Sequence, residues 1–442
     1  MVLKEQLAKQ TALGIATAGM AMFFGVASFF FLSKLLPRED IAIMGISAGF
    51  LAMITPLMIS PDVALFRNYS ELKKDFNRFV TAFLLFWFVR TLAAMVVIAA
   101  GAYILFFPRG DFLFVYVIGA GLVMNLNMLQ ASIQEIFYVE FRQRDVLTYN
   151  FLYYSAFLLL LTAVFWKPEL WIYLAIWLSL AIIFALAWFL RLKKAFRYTF
   201  NVDIPNAEKL IQNILSNVAI WTHLISSSVQ VVYRADVFFL GLFALAFTTG
   251  NYTIALMISS MFIFLPQILQ KMCMTGLTRS TTAVQDLKIT NAFVKYCTII
   301  AVLQLGGYFL VGEYLISFID AHHAREIFEL GLFIVVGVSI FSVVRPIHSL
   351  SIVRGDLKKL FVSVFLPTAI IALASYAIAS YYWGGLATAQ ANILVYVILT
   401  ILQLRYGVVH LGYRLPSEWV TREEWDLLKK IGRRIMVMRG AK

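Results

Sequence analysis

Long apolar runs alternate with short polar breaks along the whole chain, and each run approaches the length a helix needs to cross hydrocarbon. Such a crossing takes about 20 apolar residues. The pattern predicts spans at 12–33, 41–62, 80–106, 112–134, 148–166, 170–190, 214–241, 248–270, 291–312, 327–350, 360–382 and 386–404, twelve in all. Within the runs apolar residues are continuous rather than alternating, which points to helices and not to the strands of a membrane barrel. Lipid permits no third solution, because backbone polar groups there must be satisfied inside the structure. The first run is long, lacks an A-x-A-like exit and precedes many further spans, so it reads as a retained helix rather than a cleaved signal peptide. The expected fold class is an all-α integral membrane protein.

Composition agrees. Of 442 residues 61% are hydrophobic and 14% charged, against about 25% charged in a soluble domain. The formal charge is +13, and its placement matters more than its size. The N-terminus, the breaks near 63–79, 135–147, 191–213, 271–290 and 351–359, and the C-terminus together hold 28 Lys and Arg. The opposite breaks hold five: Lys34, Arg38, Arg109, Lys167 and Arg325. Four more, Arg90, Arg234, Lys295 and Arg345, fall inside predicted spans. This bias places both termini in the cytoplasm. It also accounts for most of the positive charge through orientation and contact with lipid head groups, without nucleic acid. Tyr413–Lys442 reads as a basic amphipathic helix on the inner membrane surface, with Trp419, Trp425, Leu427, Leu428 and Ile431 on one stripe and Lys429, Lys430, Arg433 and Arg434 in water.

Cys273 and Cys297 form no ligand-spaced pair, and the five histidines are scattered apart from His322–His323. No metal, cofactor or ATP-binding motif appears. A shift of 208 residues superposes 30–44 (FFLSKLLPREDIAIM) on 238–252 (FFLGLFALAFTTGNY), with six predicted spans between the two junctions. An even number of spans gives the halves the same orientation, so the expectation is two parallel six-helix bundles, 1–200 and 201–412, around a midplane cleft, followed by the tail 413–442.

At these junctions the sequence resembles a family. Ser33-Lys34-Leu35-Leu36-Pro37-Arg38-Glu39-Asp40 is similar to the R-x-L-G-P-E-x-Y-G segment after the first helix of polysaccharide flippases, with Lys34 in the basic place and Ala42 in that of the last glycine. Asp62–Arg67 resembles the exit from the second helix. Arg234-Ala235-Asp236-Val237-Phe238-Phe239-Leu240-Gly241 resembles the D-x-x-x-L-G element of helix seven, and Gly250-Asn251-Tyr252 the G-x-Y that opens helix eight, with Pro266 further down it. Gly384–Ala389 looks like the G-x-x-G-A-A-x-A start of helix twelve. Together these resemble the multidrug/oligosaccharidyl-lipid/polysaccharide (MOP) exporter superfamily and its Wzx-type branch. The resemblance implies a non-enzyme of the bacterial cytoplasmic membrane. It would flip an undecaprenyl-pyrophosphate-linked oligosaccharide, with other polysaccharide-assembly proteins as partners. A cation-coupled drug exporter of the same superfamily and a membrane-embedded polymerase or glycosyltransferase are the alternatives. The membrane potential, a proton or a sodium ion are the candidate energy sources.

A pyrophosphate crossing hydrocarbon needs a wet cationic cleft. Arg90, about 11 residues into a span of about 27, is expected near mid-membrane and facing the cleft, where a guanidinium pairs bidentately with phosphate, or, where the helix enters the membrane nearer Leu85, snorkelling to the cytoplasmic interface. Arg234 and Asp236 are two apart and face different ways on a helix, so one is expected in the cleft and the other paired elsewhere. Arg345 precedes Pro346, where a kinked helix near its cytoplasmic end lets it snorkel or meet substrate. Lys295 reads as snorkelling. Asn127, Gln130 and Gln134 share one helix face and suit either sugar hydroxyls or helix–helix contacts. His223 is a structural histidine or a proton sensor.

Overall fold

The computed structural model describes residues 2–58, 76–140, 142–198 and 217–416. The Asp62–Arg67 segment and most of the basic tail lie outside the described residues. The first bundle comprises α1 (Val2–Leu35), α2 (Arg38–Ile54, prolonged by a 3₁₀ turn Thr55–Leu57), α3 (Phe76–Phe106), α4 (Asp111–Val139), α5 (Gln143–Trp166) and α6 (Leu170–Phe196). The second comprises α7 (Asn217–Phe243), α8 (Ala246–Met261), α9 (Phe264–Arg279), α10 (Ala283–Ser317), α11 (Ala324–Arg354), α12 (Leu357–Leu360), α13 (Leu366–Tyr382) and α14 (Gly384–Leu411). The pairs α8–α9 and α12–α13 each make one interrupted span, so every expected crossing falls on a helix or a helix pair. Among the described residues there is no strand. Ten spans meet the length and apolarity of a membrane helix outright, and α1 and α7 complete the twelve. The 208-residue shift holds in the structure: it carries the end of α1, Leu35, onto the end of α7, Phe243, and the start of α2, Arg38, onto the start of α8, Ala246.

Proline writes the interruptions. Pro266 has no N–H to offer the carbonyl four residues back. The chain between α8 and α9 tightens instead into 3₁₀-type bonds, Phe262 N–H to the Ser259 carbonyl at 3.1 Å and Ile263 N–H to that of Ser260 at 3.2 Å. Pro367 is accommodated by a π-helical turn over Phe361–Phe365. Pro346 lies inside α11, which runs on to Arg354, and Arg345 is buried at 4% exposure rather than snorkelling. α10 begins eight residues earlier than the apolar run implied, and Lys295 is likewise buried.

The outside of the protein is apolar, with side chains such as Val96, Leu159 and Leu310 fully presented to lipid. Exposed Trp166, Trp171, Tyr382 and Trp383 gather at the face opposite the basic one, where aromatic rings suit the membrane interface. Gly384, at φ +75, turns the chain between α13 and α14 in a conformation that favours glycine.

The bundles meet through α2, which packs along α7 and α8. Contact is close because glycines line the seam. A Cβ on Gly49 would meet the Arg234 carbonyl oxygen and the Phe238 Cβ, both at 2.8 Å, and Gly250 lies against the carbonyl of Arg38. Small residues are how membrane helices approach backbone to backbone. A valine at Gly49 should destabilise the fold by about 1–3 kcal/mol. Gly306→Ala, with nothing within 4 Å of its added carbon, should leave thermal unfolding in detergent unchanged.

Candidate functional site

Two cavities adjoin the glycine seam on its basic-face side, one between the bundles and one within the first. The larger, about 560 Å³, is bounded by α1, α7, α8, α9, α11 and α14. Arg234 and Gln230, four residues apart on α7, project into it beside Tyr233, Ser260, Gln267 and Tyr396, and Arg234 is the one charged residue among its described lining. The second, about 440 Å³, lies within the first bundle and is lined by Asn127, Gln130 and Gln134 of α4, Asn150, Tyr153 and Tyr154 of α5, and Tyr173 and Trp177 of α6. Gly25, Phe29 and Met257 border both, so the cavities adjoin. A third, almost wholly apolar groove of about 430 Å³ runs between α1, α8 and α10 and shares Met22, Val26 and Met261 with the first.

Asp236 turns away from Arg234 into the second bundle, where it is fully buried. Its Oδ2 accepts from the Tyr252 hydroxyl at 2.7 Å and from Asn392 Nδ2 at 2.9 Å, and its Oδ1 from the Val237 N–H at 2.7 Å. Asn392 Oδ1 in turn accepts from the Tyr376 hydroxyl at 3.0 Å. The carboxylate therefore ties α7, α8, α13 and α14 together. Arg345 stands behind the cavity wall: its guanidinium donates to Gln270 Oε1 at 2.8 Å and to the Tyr233 hydroxyl, and lies over the Phe341 ring.

Arg90 is not in this group. It sits 4.0 Å over the Trp87 ring and donates to the carbonyl of Met58 at 3.2 Å. His223 of α7 holds the neighbouring Thr55 carbonyl at 3.1 Å and the Ser227 hydroxyl at 3.1 Å. Both side chains thus satisfy carbonyls left over where α2 ends. Trp87 belongs to a separate apolar cluster with Phe79, Phe83, Phe137 and Trp188, which prolongs the first bundle toward the basic face. Arg90 also lines a separate cavity of about 250 Å³ with Ile54, Met58 and Phe86.

On the opposite face the seam is pinned by an ion pair between bundles, Arg38 Nη2 to Asp320 Oδ2 at 2.5 Å. Asp320 also receives the His323 ring at 2.9 Å and the backbone N–H groups of His322 and His323 at 2.9 and 3.2 Å. Partial burial, the largest single influence, raises its carboxyl. The Arg38 guanidinium and the His323 ring and amide together outweigh it and hold the carboxyl well below the usual carboxylate range.

Solved structures supply the comparison. The lipid II flippase MurJ in an inward closed conformation superposes with a TM-score of 0.67 and 13% identity, over 89% of this chain and 87% of that one. An inward-facing multidrug resistance MATE family transporter of the MOP superfamily gives 0.63 and 11%, over 89% and 95%. The fold is that of the MOP superfamily transporters. A third example, a MOP superfamily transporter from Pyrococcus furiosus described as having a binding pocket of reverse polarity, gives 0.60 and 11%, over 92% and 95%. No family model and no curated protein matches the sequence.

Within this fold, sequence reasoning missed Tyr376 and Asn392, and it named Tyr252 only as part of the junction at the start of helix eight. An amide in the apolar run of α14 is the same signal that singled out α4, and it marks Asn392. Arg38 and Asp320 carried no signal, because charge at a membrane edge is ordinary.

Replacing Asp236 by Asn puts an amide among three donors and should cost about 1–3 kcal/mol, read as a lower unfolding temperature. The Arg38–Asp320 pair has a pH signature. Its carboxyl titrates lower in the folded protein, so the stabilisation is complete above the ordinary carboxylate range and is lost as pH falls through the depressed value. Spin labels at Lys34→Cys and Leu245→Cys should separate on strong acidification, and Asp320→Asn should show the wider distance already at neutral pH.

Proposed function

We propose that this chain is a transporter that flips an undecaprenyl-pyrophosphate-linked oligosaccharide from the cytoplasmic to the outer leaflet of the bacterial inner membrane. One observation carries the reading: a cavity whose charge comes from Arg234 adjoins an apolar groove that reaches lipid between α1 and α8–α10. A phosphate head group needs the first, since guanidinium supplies a planar fork for phosphate oxygens and spares them much of the cost of leaving water. A polyprenyl chain needs the second. A cationic drug would call for acids, and the described linings of the two polar cavities contain none.

The bias in Lys and Arg puts the basic face in the cytoplasm, and the cavities lie on that side of the seam. An anionic head group leaving a negative interior gains about 2.3 kcal/mol per charge for each 100 mV, so the membrane potential favours export.

Complementation of cells lacking their own polysaccharide flippase tests this. Arg234→Gln should reduce surface glycan at least tenfold at matched protein level, and Arg234→Lys should restore part of it. Arg90→Gln should lower protein abundance while the remaining molecules still transport. Drug resistance without glycan export, or full export by Arg234→Gln, would overturn the reading.

A further inference from the structure

We infer that the cavity in the first bundle is a pocket for an uncharged sugar, separate from the site of the phosphate. The inference rests on the flippase reading and deepens it by naming what the second cavity takes. Its volume, about 440 Å³, lies within the range of about 300–1,000 Å³ typical of small-molecule sites.

Chemistry selects the ligand. None of the described lining residues is charged, yet four carboxamides converge there: Asn127, Gln130, Gln134 and Asn150. Each carboxamide offers an acceptor and two donors, which matches the hydroxyls around a sugar ring. They are ordered for the task. Gln130 is committed to the protein, its Nε2 donating to the Ala181 carbonyl at 3.0 Å and to Asn127 Oδ1 at 3.4 Å. Gln134 Oε1 accepts from Asn150 Nδ2 at 3.2 Å. That orientation turns the Gln134 amino group and the Asn150 carbonyl toward a ligand.

The facing wall is aromatic. Tyr154 stacks on Phe24 at 5.9 Å, Tyr153 on Phe157 at 6.3 Å, and Tyr173 lies 5.7 Å from Trp177. Aromatic rings present flat apolar surface with a polar handle, complementary to the C–H face of a pyranose. A drug-like apolar ligand would leave the amides unpaired at a cost. An acidic sugar would carry a carboxylate into a low-dielectric space where none of the described lining residues is cationic.

The two cavities then divide one head group: phosphate at Arg234, neutral sugar among the α4–α5 amides. Gly25 borders both, and a Cβ there would meet nothing within 4 Å.

The test uses the full-length protein in lipid nanodiscs and saturation-transfer NMR with four probes: chitobiose, maltotriose, trigalacturonate and inorganic pyrophosphate. At least one neutral sugar should bind at least fivefold more tightly than trigalacturonate. That binding should weaken at least fivefold in Gln134→Ala and in Asn127→Ala and stay unchanged in Arg234→Gln. Pyrophosphate should show the reverse dependence. The pocket assignment falls if trigalacturonate binds as tightly as the neutral sugars, if neither neutral sugar binds, or if both amide variants, confirmed folded by thermal unfolding, bind as the wild type does. Sugar binding that follows the amides, with pyrophosphate failing to bind, would uphold the pocket and remove the phosphate reading at Arg234 instead.

Discussion

Everything in this molecule is arranged around the close backbone approach of α2 to α7 and α8. Gly49 and Gly250 place main chain against main chain, and there the two bundles become one body. Because the contact is made by absent side chains, it is short and stiff, and it leaves space only where the glycines stop. The cavities begin there. The seam also decides the fate of the charges on α7. Asp236 faces into the second bundle and is used up in holding four helices together, whereas Arg234, half a turn away, faces the opening beyond the seam.

That separation explains why a membrane span tolerates both ions. A buried carboxylate is stable when donors surround it, and Tyr252, Asn392 and the Val237 amide supply three. An arginine near mid-membrane is stable when it meets a polar cavity. The pair is not a salt bridge with a spare proton. One member is structural and the other is presented to whatever enters. The fold shared with the solved MOP superfamily transporters supplies the frame, and Arg234 is the one charge in the described lining of its larger polar cavity.

Much of this was legible in the chain itself. Helix number and order followed from run length, since lipid leaves the backbone little choice, and the 208-residue junction repeat survives as matching helix ends at Leu35 and Phe243. The opposed directions of Arg234 and Asp236 followed from helical geometry. For Arg90 the sequence left two depths open, and what it could not give is the partner: the guanidinium lies over Trp87 and donates to the Met58 carbonyl, a contact between α3 and the end of α2 that only folding makes. Arg345 was hidden because its partners, Gln270 on α9 and Tyr233 on α7, lie far away in the chain. The aromatic wall of the smaller cavity could not be told from an interface belt, since both need the same residues.

Pro266 also has a mechanical consequence. The upper part of α8 is locked to α2 at Gly250, while α9 packs on α10 and α11. Between them the helix has already given up the bond that Pro266 cannot make, and the 3₁₀-type bonds of Phe262 and Ile263 together with the bond from Gln267 N–H to the Ile263 carbonyl at 3.0 Å carry the join. The wall of the Arg234 cavity that Phe264 and Gln267 form therefore hangs on a join that is one helical bond short.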